Sequence, residues 1–97
     1  MTGRDIEKAC KGCTAFEREV LRVVCQIPFG QTRSYGWVAE EVGRSGAART
    51  VGQALKQNPL PIIIPCHRVV RSNGKIGGYK WGKELKKRLL EYEKAQL

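Results

Sequence analysis

The chain has 97 residues, and its 18 Lys and Arg against 9 Asp and Glu give a formal net charge of +9 and an isoelectric point near 9.8. This length fits one small domain with a modest core, and the charge favours a polyanionic partner. The sequence contains neither a long apolar run nor a signal-peptide pattern, so it argues against a membrane-spanning or secreted protein and predicts a soluble, intracellular one.

The first half of the chain predicts helices. Residues 1–13 are a charged lead-in with weak periodicity, so the folded domain is expected to span 14–97. A capping box at Thr14 with apolar residues at helical spacing behind it predicts a helix over 14–26. After a break at Pro28, Ser34 is a suitable N-cap for a second helix that extends to Val42.

A turn rich in glycine, 43–46, separates that helix from a third one predicted over 47–57. Two short helices joined in this way are typical of a helix-turn-helix. Small residues such as Ala47 would let the third helix approach another surface, and Arg49 and Lys56 could reach phosphates or bases. A plain helical hairpin with solvated cations gives the same pattern, but the net charge favours DNA.

A thiol and an imidazole stand side by side in the segment Asn58-Pro-Leu-Pro-Ile-Ile-Ile-Pro-Cys66-His67-Arg-Val-Val70. Three prolines make this a rigid, largely buried connection. A thiolate is nucleophilic and an imidazole can take its proton, directly or through a water, so Cys66 and His67 are a candidate nucleophile and base. The pair alone does not decide the matter, because free cysteines are often only core fillers.

The other cysteines suggest less. Cys10 and Cys13 form a Cys-x-x-Cys pair, but a second pair is missing and His67 is the only histidine, so no metal site is predicted. Cys25 lies on an apolar helix face and is expected in the core.

The last third of the chain predicts a wing and a final helix. Residues 69–76 look like two short β segments around an Asn73-Gly74 turn, and a glycine-rich aromatic loop, 77–82, follows. The expected fold is therefore mainly α, a winged helix-turn-helix-like single domain with a short β-hairpin wing. A helix is predicted from Lys83 to about Lys94. Its predicted inner side is Leu85, Leu89, Leu90 and Tyr92, and its predicted outer side is Lys83, Lys86, Lys87 and Arg88.

The whole Asn-Pro-x-Pro-x-x-x-Pro-Cys-His-Arg-Val-Val string resembles the active-site signature of the O6-alkylguanine-DNA alkyltransferases, which move an alkyl group from damaged guanine to their own cysteine. The resemblance covers roughly residues 14–94. Its other motifs are Phe29-Gly30-x-x-x-Ser34-Tyr35, Ala47-Ala48-Arg49-x-Val51-Gly52, Gly77-x-Tyr79 and Leu89-Leu90-x-x-Glu93.

This resemblance implies a role for each matching residue and requires no cofactor. Cys66 would be the alkyl acceptor, His67 the base through a water, and Glu93 the group that orients His67. Asn58 would brace the turn after the third helix, and Tyr79 would hydrogen-bond the flipped guanine.

The resemblance also implies a partner, double-stranded DNA containing O6-alkylguanine, bound through the minor groove by a monomeric protein in the cytoplasm, or in the nucleus of a eukaryote. Arg49 would fill the gap left by the extruded base, and Tyr35 would push on the phosphate that rotates. Further DNA contacts are implied for Ser34, Arg44, Ala47 and Ser72.

Three departures and two alternatives accompany this prediction. The family's usual N-terminal domain is missing, so the chain is either a minimal member or an excised domain. Lys80 stands where many members have a small hydroxylic residue, and Trp81 is expected either to narrow or to widen the pocket. An alkyltransferase-like protein that only binds the lesion would replace the acceptor cysteine, typically with tryptophan, whereas Cys66 is present here. A winged-helix transcription regulator would leave the Pro-Cys-His-Arg string unexplained.

Overall fold

The computed structural model describes residues 12–58 and 64–97, so most of the predicted lead-in, Cys10 included, and the proline-rich residues 59–63 lie outside the described residues. The elements in chain order are α1 (Ala15–Val24), β1 (Arg33–Ser34), α2 (Tyr35–Glu41), α3 (Ala48–Leu55), a 3-10 turn (Cys66–Arg68), β2 (Val69–Val70) and α4 (Lys83–Ala95). Across both described ranges, every helix is too short or too polar to cross a bilayer.

The predicted capping box starts α1. The Thr14 side chain accepts a hydrogen bond from the backbone N–H of Glu17 at 3.1 Å, and the Glu17 carboxylate accepts one from the Thr14 N–H at 2.8 Å. Both donors would otherwise lack partners in the first helical turn. The buried core that α1 shares with its neighbours comprises Val20, Leu21, Val23, Val24, Ile27, Val38, Ala39, Val51, Ala54, Leu55, Ile64, Cys66 and Val69.

The predicted helix-turn-helix is confirmed as α2 and α3, which pack against each other and on α1. Ser34 caps α2, since its Oγ accepts a hydrogen bond from the Trp37 N–H at 2.9 Å. The connecting turn uses Gly43 and Gly46, with φ of 76° and 87°, a backbone region that other residues rarely adopt. Helix α3 buries its apolar face and leaves Arg49 exposed.

The β-hairpin wing differs from the prediction. β2 pairs with β1 in parallel, with Arg33 opposite Val69, and not with the residues that follow it. The Asn73-Gly74 turn does close, because the Arg71 N–H donates to the Lys75 carbonyl at 2.9 Å. Residues 75–76 form no second strand. The chain beyond them bends inward instead, where the Gly78 carbonyl accepts hydrogen bonds from the core side.

The predicted faces of α4 were partly wrong. Leu85 and Tyr92 are 40% and 60% exposed, whereas Lys86 is 0% and Glu93 5% exposed. The two charged residues lie seven positions apart, about two helical turns, so they share one face. They are buried because each has hydrogen-bonding partners inside the domain, which an apolar side chain would leave unsatisfied.

Candidate active site

A cavity of about 650 Å³ lies between α3 and the loop that follows the Asn73-Gly74 turn. Cys66 is only 3% exposed, yet it lines this cavity. Its thiol is therefore reached from the cavity and not from the outer surface. The other lining residues are Tyr35, Ala48, Arg49, Gly52, Gln53, Leu55, Lys56, Arg71, Gly77, Gly78, Tyr79 and Lys80.

Asn58 connects the end of α3 to the thiol. Its side chain is fully buried, and its Nδ2 donates to the carbonyl of Ile64 at 2.9 Å and to the Sγ atom of Cys66 at 3.0 Å. The family resemblance implied that Asn58 braces this turn, and the structure brings its side chain to the thiol. Because one amide holds both partners, the sulfur has a fixed position relative to α3.

Burial raises the pKa of the Cys66 thiol. The hydrogen bond from Asn58 and the positive charge of Lys86 act in the opposite direction but do not outweigh burial. The resting protein therefore favours the neutral thiol at neutral pH, and a base is needed to release the thiolate.

His67 and Glu93 have the geometry that such a base and its partner require. The Nε2 atom of His67 lies 2.5 Å from the Oε2 atom of Glu93, and both side chains are buried. Burial lowers the pKa of His67 despite the opposing influence of Glu93, so the imidazole is neutral at neutral pH. Nε2–H then donates to Glu93, which leaves the lone pair on Nδ1; this atom makes no hydrogen bond to any residue in 12–58 or 64–97.

Arg68, to which the sequence analysis gave no role, holds Glu93 in place. Its Nε and Nη2 donate to the two carboxylate oxygens at 2.9 and 3.1 Å, and its Nη1 donates to the carbonyl of Ile27 at 2.8 Å. Burial acts to raise the pKa of Glu93, but hydrogen bonds from Arg68, His67 and the Gly30 N–H outweigh it and keep the carboxyl ionised. The position of Arg68 directly after Cys66 and His67 was the signal that could have identified it.

Lys86 is a second functional group that sequence reasoning missed. Its Nζ donates to the carbonyls of Val69 at 2.6 Å and Gly78 at 3.1 Å, and to the Tyr35 hydroxyl at 3.3 Å. Burial lowers the pKa of Lys86 to about 8, against the influence of Cys66, which raises it. A cation is thus fixed inside the domain and coupled to the thiol. The helical pattern gave no sign of this, since it placed Lys86 on the solvated side.

Two tyrosines complete the wall beside the thiol. Burial first, and then the charge of a Cys66 thiolate, raise the pKa of Tyr79, so its phenol keeps its proton at neutral pH. The Tyr35 hydroxyl donates to the Gly78 carbonyl at 3.3 Å. Gly77 passes so close to this ring that a Cβ there would lie 3.0 Å from the Tyr35 hydroxyl, and its φ of +77° also disfavours other residues.

Of the predicted DNA-contacting residues, Arg49 and Tyr35 line the cavity and the others do not. Arg49 is exposed on α3 and lines the cavity, and Ala47 is the N-cap of α3. Arg44 lies exposed in the turn, with its guanidinium 5.0 Å from the centre of the Phe16 ring. Ser72 is exposed in the turn after β2, while the Ser34 hydroxyl caps α2. Contact with DNA remains a prediction for each of them.

Cys13 and Cys25 are partly buried and pack against the core, whereas Cys25 was expected within it. In the described residues no group of three or more His, Cys, Asp or Glu side chains could hold a metal ion.

Comparison with known proteins gives one consistent result. The family profile for the 6-O-methylguanine DNA methyltransferase DNA binding domain matches residues 15–95. The methylated-DNA–protein-cysteine methyltransferase of Mycobacterium bovis is 46% identical over 96 residues, and the match spans 99% of this chain but 58% of that protein.

Solved structures agree with this match. The crystal structure of Mycobacterium tuberculosis OGT in complex with DNA superimposes with a TM-score of 0.84 at 48% identity, over 86% of this chain and 52% of that one. Schizosaccharomyces pombe Atl1, in complex with damaged DNA containing O6-carboxymethylguanine, gives a TM-score of 0.71 at 38% identity, over 80% of this chain and 74% of that one. The chain thus spans about half the length of the methyltransferases that it matches.

Proposed function

The chain belongs to the family of 6-O-methylguanine DNA methyltransferases, and from this premise we propose that it repairs DNA by transferring the alkyl group of O6-alkylguanine to the Sγ atom of Cys66. One observation carries the proposal: a buried thiol lines a cavity while a neutral imidazole, oriented by a carboxylate, follows it directly in the chain. This is the arrangement that an activated cysteine nucleophile requires.

The alkyl carbon of the lesion lies on an oxygen inside a base pair, so the nucleotide has to leave the stack before a sulfur can reach it. Extrusion costs a few kcal/mol, and less for a damaged pair. We infer that Arg49, exposed beside the cavity, fills the gap in the duplex from the minor groove, where the small residues at the start of α3 allow close approach. We further propose that the protein binds the minor groove as a monomer, in the cell compartment that contains the DNA.

Transfer begins with loss of the thiol proton. The Nδ1 lone pair of His67 accepts it through a bridging water, and Glu93 stabilises the imidazolium that forms. The positive charge of Lys86 stabilises the thiolate, because it already lowers the pKa of Cys66 in the resting protein. Asn58 keeps the sulfur in position through its hydrogen bond at 3.0 Å.

The thiolate then attacks the alkyl carbon. A carbon–sulfur bond forms, the bond between that carbon and O6 breaks, and its electron pair leaves with the guanine. Tyr79 is suited to donate a hydrogen bond to the departing base and so to stabilise its developing negative charge, since the raised pKa keeps the phenol protonated. The thioether product has no good leaving group, so each molecule acts once.

The proposal is tested by mass spectrometry of the Cys66 peptide after incubation with a duplex that contains O6-methylguanine. We expect the peptide to gain the mass of one methyl group, and a Cys66→Ala variant to remain unmodified while it still binds the lesion duplex. Tight lesion binding with an unmodified Cys66 peptide would instead indicate a protein that senses the lesion without repairing it.

A further inference from the structure

The cavity beside Cys66 carries a marked excess of positive charge. Arg49, Lys56, Arg71 and Lys80 line it, and no Asp or Glu does. Within the described ranges, 12–58 and 64–97, none of these cations forms an ion pair with a carboxylate. The contrast with Arg68 is clear, because that buried guanidinium is neutralised by Glu93.

Lys80 is the cation most directly linked to the acceptor. Its Nζ donates to the backbone carbonyl of Asn58 at 3.1 Å, and the side chain of Asn58 holds the Cys66 sulfur at 3.0 Å. One residue thus anchors both the ammonium and the sulfur on the same wall of the cavity. The ammonium also lies 5.1 Å from the centre of the Trp81 ring. Neither the carbonyl nor the ring carries a formal negative charge, and an ammonium has three donors, so the group can still bind an anion.

We propose that this pocket favours O6-alkyl groups that bear a negative charge, with O6-carboxymethylguanine as the smallest such substrate, and that Lys80 recognises the carboxylate. This inference rests on the proposed function. In the reaction the Cys66 Sγ bonds to the methylene carbon, the bond from that carbon to O6 breaks, and its electron pair leaves with the guanine. The carboxylate stays on the protein as S-carboxymethylcysteine, beside the ammonium.

The test compares two nearly isosteric lesions in the same duplex, O6-carboxymethylguanine and the neutral O6-carbamoylmethylguanine. The single-turnover rate of transfer to Cys66 is measured for each lesion, and the rate for the charged lesion is divided by the rate for the neutral one. The two lesions differ in intrinsic reactivity by the same factor for every variant, so this factor cancels when the ratios of two variants are compared. We expect Lys80→Gln to lower this ratio by roughly three- to tenfold, because it removes a charge-assisted hydrogen bond near the pocket mouth. Lys80→Arg keeps the charge and should retain most of the preference.

A matched control is Lys94→Gln, which removes the same charge from the exposed far end of α4, outside the cavity lining. Its ratio should equal that of the unaltered protein. If Lys80→Gln slows transfer from both lesions equally, or if Lys94→Gln changes the ratio as much, Lys80 acts on DNA in general and the inference is wrong.

Transfer of a methyl group from O6-methylguanine is measured in parallel for every variant. If the unaltered protein transfers no methyl group, the proposed function itself is refuted. If it transfers the methyl group but Lys80→Gln leaves the ratio unchanged, only the inference is refuted.

Discussion

At the scale of single residues, the site combines two buried charges that are handled differently. Glu93 receives hydrogen bonds from Arg68, His67 and the Gly30 N–H, so its negative charge is fully compensated. Lys86 has only neutral oxygen atoms as hydrogen-bond partners, and its pKa is lowered to about 8. The uncompensated cation is therefore available to stabilise a second charge, and the thiolate of Cys66 is the charge that the proposed reaction creates.

We therefore expect a Lys86→Met variant to change the reactivity of Cys66. Loss of the cation should raise the apparent pKa of Cys66 by about one unit and slow alkylation of Cys66 at neutral pH by roughly tenfold, since an opposite charge nearby favours the ionised form. The measurement is the rate of Cys66 modification by iodoacetamide against pH, followed by mass spectrometry of the Cys66 peptide so that the other cysteines do not interfere. Lys87→Met, at the exposed neighbouring position, is the control. Identical pH profiles for the two variants would show that Lys86 is only a structural bridge.

At the scale of elements, the parts that local sequence determines were predictable. Thr14 and Ser34 cap helices through hydrogen bonds within their own first turns, and the glycines of the 43–46 turn adopt a backbone that few other residues tolerate. The inner face of α4 was not predictable by the same reasoning. Lys86 is buried only because carbonyls from β2 and the cavity loop converge on it, and such partners, distant in sequence, leave no trace in helical periodicity.

The site residues also divide into those that the local sequence identifies and those that it does not. Cys66 and His67 were identified because they are adjacent in an unusual string, and Glu93 and Asn58 through the resemblance alone. The β-hairpin was predicted from the Asn73-Gly74 turn, which does form. The predicted partner of β2 was wrong, because β2 pairs with β1, which is distant in sequence and which the turn does not determine.

Helix α3 carries a prediction about Arg49. If this residue fills the gap in the duplex, Arg49→Ala should slow transfer from a duplex containing O6-methylguanine by at least tenfold, and transfer from free O6-benzylguanine by much less, because only the duplex requires extrusion. The readout is the single-turnover rate with each substrate. Arg44→Ala, which removes an exposed cation from the turn before α3, separates loss of general charge attraction from loss of the wedge. Comparable slowing of Arg49→Ala on both substrates would contradict the wedge role.

At the scale of the whole molecule, the charged site also contributes to stability. The side chains of Glu93 and Arg68 are 7% and 13% exposed. They connect α4 to the 3-10 turn and, through the Ile27 carbonyl, to the segment that follows α1. Removing one partner of such a buried pair leaves the other charge uncompensated. The same residues that orient His67 therefore hold three elements together, so activity and stability should share a dependence on acid.

That dependence has a definite sign. The pKa of His67 is below its ordinary value of 6.5 and that of Glu93 below its ordinary value of 4.5 in the folded protein. Between the ordinary pKa of each group and its lower pKa in the folded protein, the unfolded chain binds a proton that the folded protein does not. The two groups therefore stabilise the fold fully above their ordinary pKa values, and this contribution is lost as the pH falls through their pKa values in the folded protein. We expect the free energy of unfolding to decrease from about pH 7 to pH 4, with the His67 part lost first.

Urea denaturation across this pH range, with matched variants, tests the assignment. Glu93→Gln should lower stability at pH 7 by about 3 kcal/mol and flatten the acid limb, because Arg68 is left without its carboxylate. Glu84→Gln breaks the exposed pair with Arg88, whose side chains are 74% and 75% exposed, and it should change stability by less than about 1 kcal/mol and leave the pH profile unchanged. If Glu93→Gln keeps the acid limb of the unaltered protein, other carboxylates govern acid unfolding. The ion pair would then position the imidazole without stabilising the fold.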